Sequence, residues 1–267
     1  MSVPRILHYP GSKWSMAEWI ISHMPEHETY LEPFFGSGAV LFTKGRSRIE
    51  TVNDIDGDIV NLFRVIRERP DELAHVIRWT PHSREEYYLS YEDTADELER
   101  ARRLLVRLWQ GRGGKTNRRT GWRSMVEANG PLPGQEWLQF PGRVRAVSER
   151  LKGVQIENQP ALELMERYRR PNVLIYADPR YVLTTRTSSS YRFEMTEEEH
   201  AELLDALDQH PGPVLLSGYA HPMYDDRLRH WRRETKKAKA EAGAAREEVL
   251  WINPVAASQV GQLVLNI

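Results

Sequence analysis

One alternation constrains the fold of this chain more than any other feature. Short runs of aliphatic, aromatic and β-branched residues, "TYLEPF" (29–34), "RIETVN" (48–53), "VLIYA" (173–177), "PVLLSGY" (213–219) and "EEVLWIN" (247–253), are separated by segments with helical spacing. Ser15 and Glu18 have the spacing of a capping box ahead of Trp19 and Ile20, which predicts a helix to about Met24. Ile59, Leu62, Phe63 and Ile66 repeat at helical spacing until Pro70 stops them. Thr196, with Glu199 as its box partner, opens another helix, and "QLVLNI" (262–267) is a further strand candidate. The charged stretch 232–247 reads as a solvated helix or mobile loop. Strands alternating with helices predict an α/β fold, a mostly parallel sheet wound on both faces, with ligands at the carboxyl ends of the strands.

Composition narrows the class. A chain of 267 residues, 40% apolar and 28% charged, has enough apolar side chains for a sizeable core and is neither fibrous nor disordered. No run approaches the roughly 18 apolar residues of a membrane span, and "MSVPRILHYPGSK" lacks the apolar core of a secretory signal, so a cytoplasmic protein is expected. With no Cys, disulfides, thiolate metal sites and Cys nucleophiles are excluded; no metal is expected. The net charge of -1 hides an uneven distribution. Between Arg100 and Lys152 stand thirteen Lys or Arg against three Glu, a local charge of +10 that leaves -11 for the rest of the chain. Such a segment suggests a bound polyanion, while the interleaved apolar residues of 100–107 suit a solvated helix face equally well. "GRGGKTNRRTGWR" (111–123), rich in Gly and free of acids, reads as a flexible basic loop with Trp122 available to wedge or stack.

"EPFFGSGAV" (32–40) puts Gly36 and Gly38 directly after a strand and before a helix, where they permit a tight turn and a close ligand approach. Leu41 stands where a third glycine of the dinucleotide fingerprint would be, so the turn alone is weak evidence for a nucleotide. One strand later, Asp54 sits where a carboxylate accepts from ribose hydroxyls, with Asp56 as the competing candidate. Together these features favour an adenosine-containing cofactor.

Taken in order, Tyr-Pro-Gly-Ser-Lys (9–13), "EPFFGSGAV", "NDID", a basic insertion and "DPRY" (178–181) resemble the Dam-type, alpha-group adenine-N6 DNA methyltransferases over nearly the whole chain, including "LLSGY" and "EVLWIN". The resemblance implies a doubly wound domain of the S-adenosylmethionine-dependent type, formed by 1–70 and 155–267. It also implies a smaller, mostly helical DNA-recognition domain inserted as 71–154. Cofactor contacts are implied at Tyr9, Lys13, Phe34, Gly36, Gly38, Asp54 and Asp178. The implied substrate is duplex DNA, bound by a monomeric enzyme of a phage, mobile element or restriction system.

The chemistry fits those residues. An exocyclic adenine amine is a poor nucleophile because its lone pair is delocalised into the ring. Two acceptors on its hydrogens favour a pyramidal nitrogen, and the Asp178 carboxylate and Pro179 carbonyl are the expected pair. Tyr181 offers a face to a base flipped out of the stack. The absent Cys excludes methylation at cytosine C5, and Asp, where many cytosine-N4 enzymes carry Ser, favours adenine. Arg112, Lys115, Asn117, Arg118, Arg119, Trp122 and Arg123 are the candidate DNA contacts.

Arg180 departs from the family's Asp-Pro-Pro-Tyr pattern. It is expected to loosen the Pro179 carbonyl and either to pair with Asp178, to stand beside the cofactor's sulfonium, or to point outward to a DNA phosphate. The first two outcomes weaken catalysis, and the reading leans to reduced activity. A DNA-binding relative that keeps the fold but transfers no methyl group is the alternative function, and an RNA methyltransferase a lesser third.

Overall fold

A computed structural model describes residues 3–127, 132–183, 191–239 and 245–265. Seven strands form one sheet in the order β3-β2-β1-β4-β5-β7-β6, where β1 is Thr29–Glu32, β2 Ile49–Asn53, β3 Gln155–Glu157, β4 Val173–Ala177, β5 Val214–Tyr219, β6 Arg232–Lys239 and β7 Ala245–Ile252. The first five in sequence pair in parallel; β7 runs antiparallel to both β5 and β6. The expected α/β fold with a mostly parallel sheet is therefore present. Because β1 pairs with β2 on one side and β4 on the other, the strand order reverses there, and a crevice opens outside the carboxyl ends of these strands.

Strand β4 shows why its sequence is continuously apolar. Val173, Ile175 and Ala177 join one core cluster and Leu174 and Tyr176 the other, so the period of two sends alternate side chains into two layers, both covered by helices. One layer holds α3 (Gly57–Glu68) and the helices α4 (Pro70–Arg78), α6 (Glu97–Gln110), α7 (Pro133–Leu138) and α8 (Phe140–Leu151). Leu73, Leu105, Phe140 and Val147 of α4, α6 and α8 share that core with Ile59 and Phe63 of α3 and with Tyr30 of the sheet. The other layer holds α9 (Ala161–Arg167), α10 (Glu197–Asp208) and α11 (Pro222–Arg227).

Several local expectations hold and others fail for identifiable reasons. Thr196 and Glu199 close the capping box of α10 reciprocally, and Ile59, Leu62, Phe63 and Ile66 form the buried face of α3. The helix after Ser15 is short, Ala17–Ile21, with Met16 at its N-cap and no side-chain cap. Lys13 supplies the backbone carbonyl that accepts from the Met16 N–H, so backbone takes the place of the predicted box. Pro70 both ends α3 and stands at the start of α4, where its missing N–H costs nothing. The stretch 232–247 is neither helix nor loop over its described residues. Its two ends are the hairpin strands β6 and β7, and residues 240–244 lie outside the described residues. β6 is an edge strand, and its dense Lys and Arg content guards that edge against pairing with another chain. "QLVLNI" lies in a helix as far as Leu265, within α12 (Pro254–Leu265), with Asn266 and Ile267 outside the described residues.

Candidate active site

Three strand ends converge at the crevice: β1 ends at Glu32, β2 delivers Asp54, and β4 delivers Asp178. Residues 9–13 supply a further wall. The cleft so formed brings Glu32, Asp54 and Asp178 together with Lys13 on one concave surface, as small-molecule sites do. All seven sequence-predicted cofactor residues except Gly38 line it directly. Gly38 acts one step behind, in the left-handed region at φ 68° as the N-cap of α2 (Ala39–Thr43); a Cβ there would stand 2.5 Å from the rings of Phe35 and Phe42. Gly36, at φ 48°, lies against the Tyr9 ring, and its N–H donates to Asp54 Oδ2 at 2.9 Å. Asp54 Oδ1 accepts from the Asp56 N–H at 2.9 Å, so backbone donors fix the carboxylate at the cleft. Asp56 faces elsewhere, as the N-cap of α3 accepting from the Asp58 N–H at 3.0 Å.

Arg180 takes none of the places expected from Asp178 pairing or outward display. Its side chain is 9% exposed and reaches across the cleft, placing Nη2 3.4 Å from Asp54 Oδ1 and the guanidinium 5.6 Å from the Tyr191 ring centre. Arg180 Nε is buried without a hydrogen-bond partner. The reason is that Asp178 is already taken: Lys13 Nζ lies 2.7 Å from its Oδ1, and the Ser217 hydroxyl donates to the same oxygen at 2.9 Å. Both bonds fall on Oδ1. Among the described residues no donor reaches Asp178 Oδ2 or the Pro179 carbonyl, which leaves both as acceptors.

A buried network stands behind this pair. Lys13 also contacts Glu248 Oε1 at 3.1 Å, the Tyr181 hydroxyl at 2.7 Å and the Gly11 carbonyl at 3.0 Å. The Tyr181 hydroxyl donates to Glu248, while its ring stacks on Tyr219 with centroids 3.9 Å apart. Burial works against the Lys13 ammonium, but Asp178 and Glu248 beside it raise its pKa well above the ordinary lysine value. Burial also raises the pKa of Glu248, against the pull of Lys13. Glu32, 2% exposed and accepting from the Tyr30 hydroxyl at 2.8 Å, is pushed up to about 8 by burial.

Glu32, Ser217, Tyr219 and Glu248 were not among the site residues expected from sequence. Their signal is present in hindsight of the strands: Glu32 ends "TYLE" beside Pro33, and Glu248 directly precedes the apolar run Val249–Ile252 of β7.

The basic segment is more heavily paired than its local composition implies. Arg102 contacts Glu86 and Glu99, Arg103 contacts Glu99, Arg100 and Arg107 contact Asp58, and Arg150 contacts Glu50. All four of these acids lie upstream of residue 100. The loop 111–123 is closed rather than loose at its ends, with a bridge between Gly111 and Trp122 and the Arg112 N–H donating to the Gly121 carbonyl at 2.9 Å. Trp122 is half-buried against His82 and Arg84, and Arg123 lies 3.5 Å from Glu136. Lys115 is half-buried, whereas Arg112, Asn117, Arg118 and Arg119 are exposed. Among the described residues no ion pair engages Arg118 or Arg119, although Arg119 covers the Tyr88 ring at 4.9 Å.

A parallel-sheet crevice with a carboxylate at the second strand and an Asp-Pro-aromatic edge at the fourth defines a nucleotide-type α/β site that presents two acceptors to a ligand amine. The family model for the D12 class N6 adenine-specific DNA methyltransferase matches residues 9–242, and the chain belongs to that family. A DNA adenine methylase of Salmonella typhi is 26% identical over 224 residues, covering 80% of each chain. That of Escherichia coli K12 is 25% identical over the same length and coverage. The Type II methyltransferase M1.LlaDCHI of Lactococcus lactis is 25% identical over 255 residues, covering 82% of each. The expectation of an adenine-directed DNA methyltransferase is thereby borne out, and with it a methyl donor and DNA as reactants. Among the described residues no helix is long and apolar enough to cross a membrane.

Proposed function

We propose that the cleft binds S-adenosylmethionine and that Asp178, Pro179 and Tyr181 present a flipped adenine of duplex DNA to it. The residues fit such a ligand. Asp54 is held by backbone donors with its carboxylate on the cleft, Gly36 permits close approach, Phe34 offers an aromatic wall, and an unpartnered Arg180 Nε awaits an acceptor. When bound, the cofactor supplies an electrophilic methyl group on a sulfonium. The protein's part is to aim the amine: Asp178 Oδ2 and the Pro179 carbonyl accept its two hydrogens, and Lys13 and Ser217 hold Oδ1 so that Oδ2 keeps its direction. The unused acceptor atoms at the cleft edge are the observation that carries this reading.

Tyr181 and Tyr219, which line a small pocket with Pro179, are the proposed walls for the extruded base. In the state described, each ring covers the other, so admitting a base between them requires the pair to part. Target recognition is assigned to segment 71–154, with the loop 111–123 on the phosphates. Incubation with labelled S-adenosylmethionine and mixed-sequence duplex DNA tests the function. N6-methyladenine in the hydrolysate is expected; label confined to cytosine would overturn it.

One observation keeps the catalytically impaired relative as a second reading: Arg180 engages the carboxylate proposed for the ribose. Against it, the Lys13 contact leaves Asp178 independent of Arg180. The same incubation with no label transferred, although cofactor binds, would favour that second reading.

A further inference from the structure

Five charged side chains line the cleft: Lys13, Glu32, Asp54, Asp178 and Arg180. Burial keeps Glu32 largely protonated at neutral pH, since its pKa is pushed up to about 8. Of the rest, Lys13 sits on Asp178 at 2.7 Å and Arg180 faces Asp54 at 3.4 Å, so the lining is close to neutral. Without Arg180 it would carry one net negative charge, the sign that suits a cationic ligand. The guanidinium is held by the Tyr9 hydroxyl, by Asp54 and by the Tyr191 ring, and is buried deeply enough that salt does little to screen it. Its contact with Asp54 is long, and its Nε has no partner, so the charge is only partly compensated by the protein.

We propose that Arg180 sets the charge selectivity of the cleft, favouring the neutral thioether product S-adenosylhomocysteine over the sulfonium-bearing donor. This rests on the donor reading above. Donor and product share the adenosine and the amino-acid end, so every hydrogen bond Arg180 makes to those parts cancels in a comparison of the two. What differs is one methyl group and one positive charge. A fixed cation in a low-dielectric cleft acts on that difference, and Glu248, which lies behind Lys13, is common to every variant.

Calorimetric titration of the full chain with S-adenosylmethionine and S-adenosylhomocysteine separately, for the wild type, Arg180→Gln and Arg180→Lys, tests the inference. The ratio of donor to product affinity should rise about tenfold in Arg180→Gln and stay within twofold of wild type in Arg180→Lys. If both ligands bind and the ratio in Arg180→Gln stays within twofold, the inference fails while the donor reading stands. If neither ligand binds the wild type, the donor reading falls and the inference with it. Should Arg180→Gln not fold, the wild type decides: tighter binding of the product supports the inference, and a donor bound as tightly as the product overturns it.

Discussion

In the cleft, Lys13 stands 2.7 Å from Asp178 and 3.1 Å from Glu248, with Lys13 and Glu248 nearly inaccessible to water and Asp178 half-buried, whereas Arg118 and Arg119 in the loop 111–123 face solvent without an ion pair among the described residues. The two regions hold charge for different purposes. On the proposed function, chemistry on an amine needs acceptors whose direction is fixed before the substrate arrives, and Lys13 and Ser217 fix the Asp178 carboxylate in that way. Attraction of a polyanion needs only cations near its phosphates, and a pinned loop with open tips provides that. The cleft and the loop are therefore expected to fail separately when mutated.

Asp178→Ala is the strongest break. Removing the carboxylate deletes one of the two proposed amine acceptors and leaves Lys13 without its 2.7 Å ion pair, so turnover should fall by about a thousandfold or more, while affinity for duplex DNA changes by no more than a few fold. Turnover and fluorescence anisotropy on the same preparation check this. Unchanged turnover would remove Asp178 from the site, and a parallel loss of DNA binding would show that the two regions are coupled.

Glu32 tests whether the cleft's charges are held under a burial penalty. A carboxyl with a folded pKa of about 8 against an ordinary 4.5 binds more protons folded than unfolded between those values. Stability from this group is present below about pH 4.5 and is lost as pH rises toward 8, by up to roughly 1.4 kcal/mol per unit. Glu32→Gln removes the loss, so its unfolding free energy relative to wild type should climb across that window. A constant difference from pH 5 to 8 would mean that Glu32 ionises normally.

Much of this frame was legible in sequence because strand and turn signals are local. "VLIYA" followed by Asp178, and "EPFFGSGAV" followed one strand later by Asp54, place the cleft without any knowledge of long-range pairing. Lys13 as the partner of Asp178 is a contact across 165 positions, and the Glu248 contact comes from an antiparallel strand near the chain's end; neither has a local signature. The direction of Arg180 was left open among three placements for the same reason, since it depends on Lys13 having occupied Asp178. The hairpin of β6 and β7 was hidden by charge: Lys and Arg suggest helix or loop, and strand pairing with β7 overrides that preference.

The loop breaks in the opposite way to the cleft. Arg118→Glu with Arg119→Glu should lower affinity for unrelated duplexes alike, by roughly ten- to a hundredfold near 0.1 M salt, and flatten the salt dependence by about two phosphate contacts. Turnover at saturating DNA should hold. Salt titrations on two unrelated sequences measure this, and a loss confined to one sequence would mean base readout in place of phosphate contact.

The smallest effect sharpens the comparison within the basic segment itself. Arg103, on α6, is as much a cation in the sequence as Arg118, yet it lies 2.6 Å from Glu99 and donates to the Glu92 carbonyl at 2.7 Å, with 13% of its side chain exposed. A guanidinium already neutralised by its own helix releases no counterions from DNA. Arg103→Gln should leave both DNA affinity and its salt slope at wild-type values and lower stability by about 1 kcal/mol or less, the usual cost of losing a partly exposed pair. Thermal unfolding and one salt titration suffice. A drop in salt slope close to one unit would place α6 on the DNA, and the distinction between paired helix and open loop would then have to be abandoned.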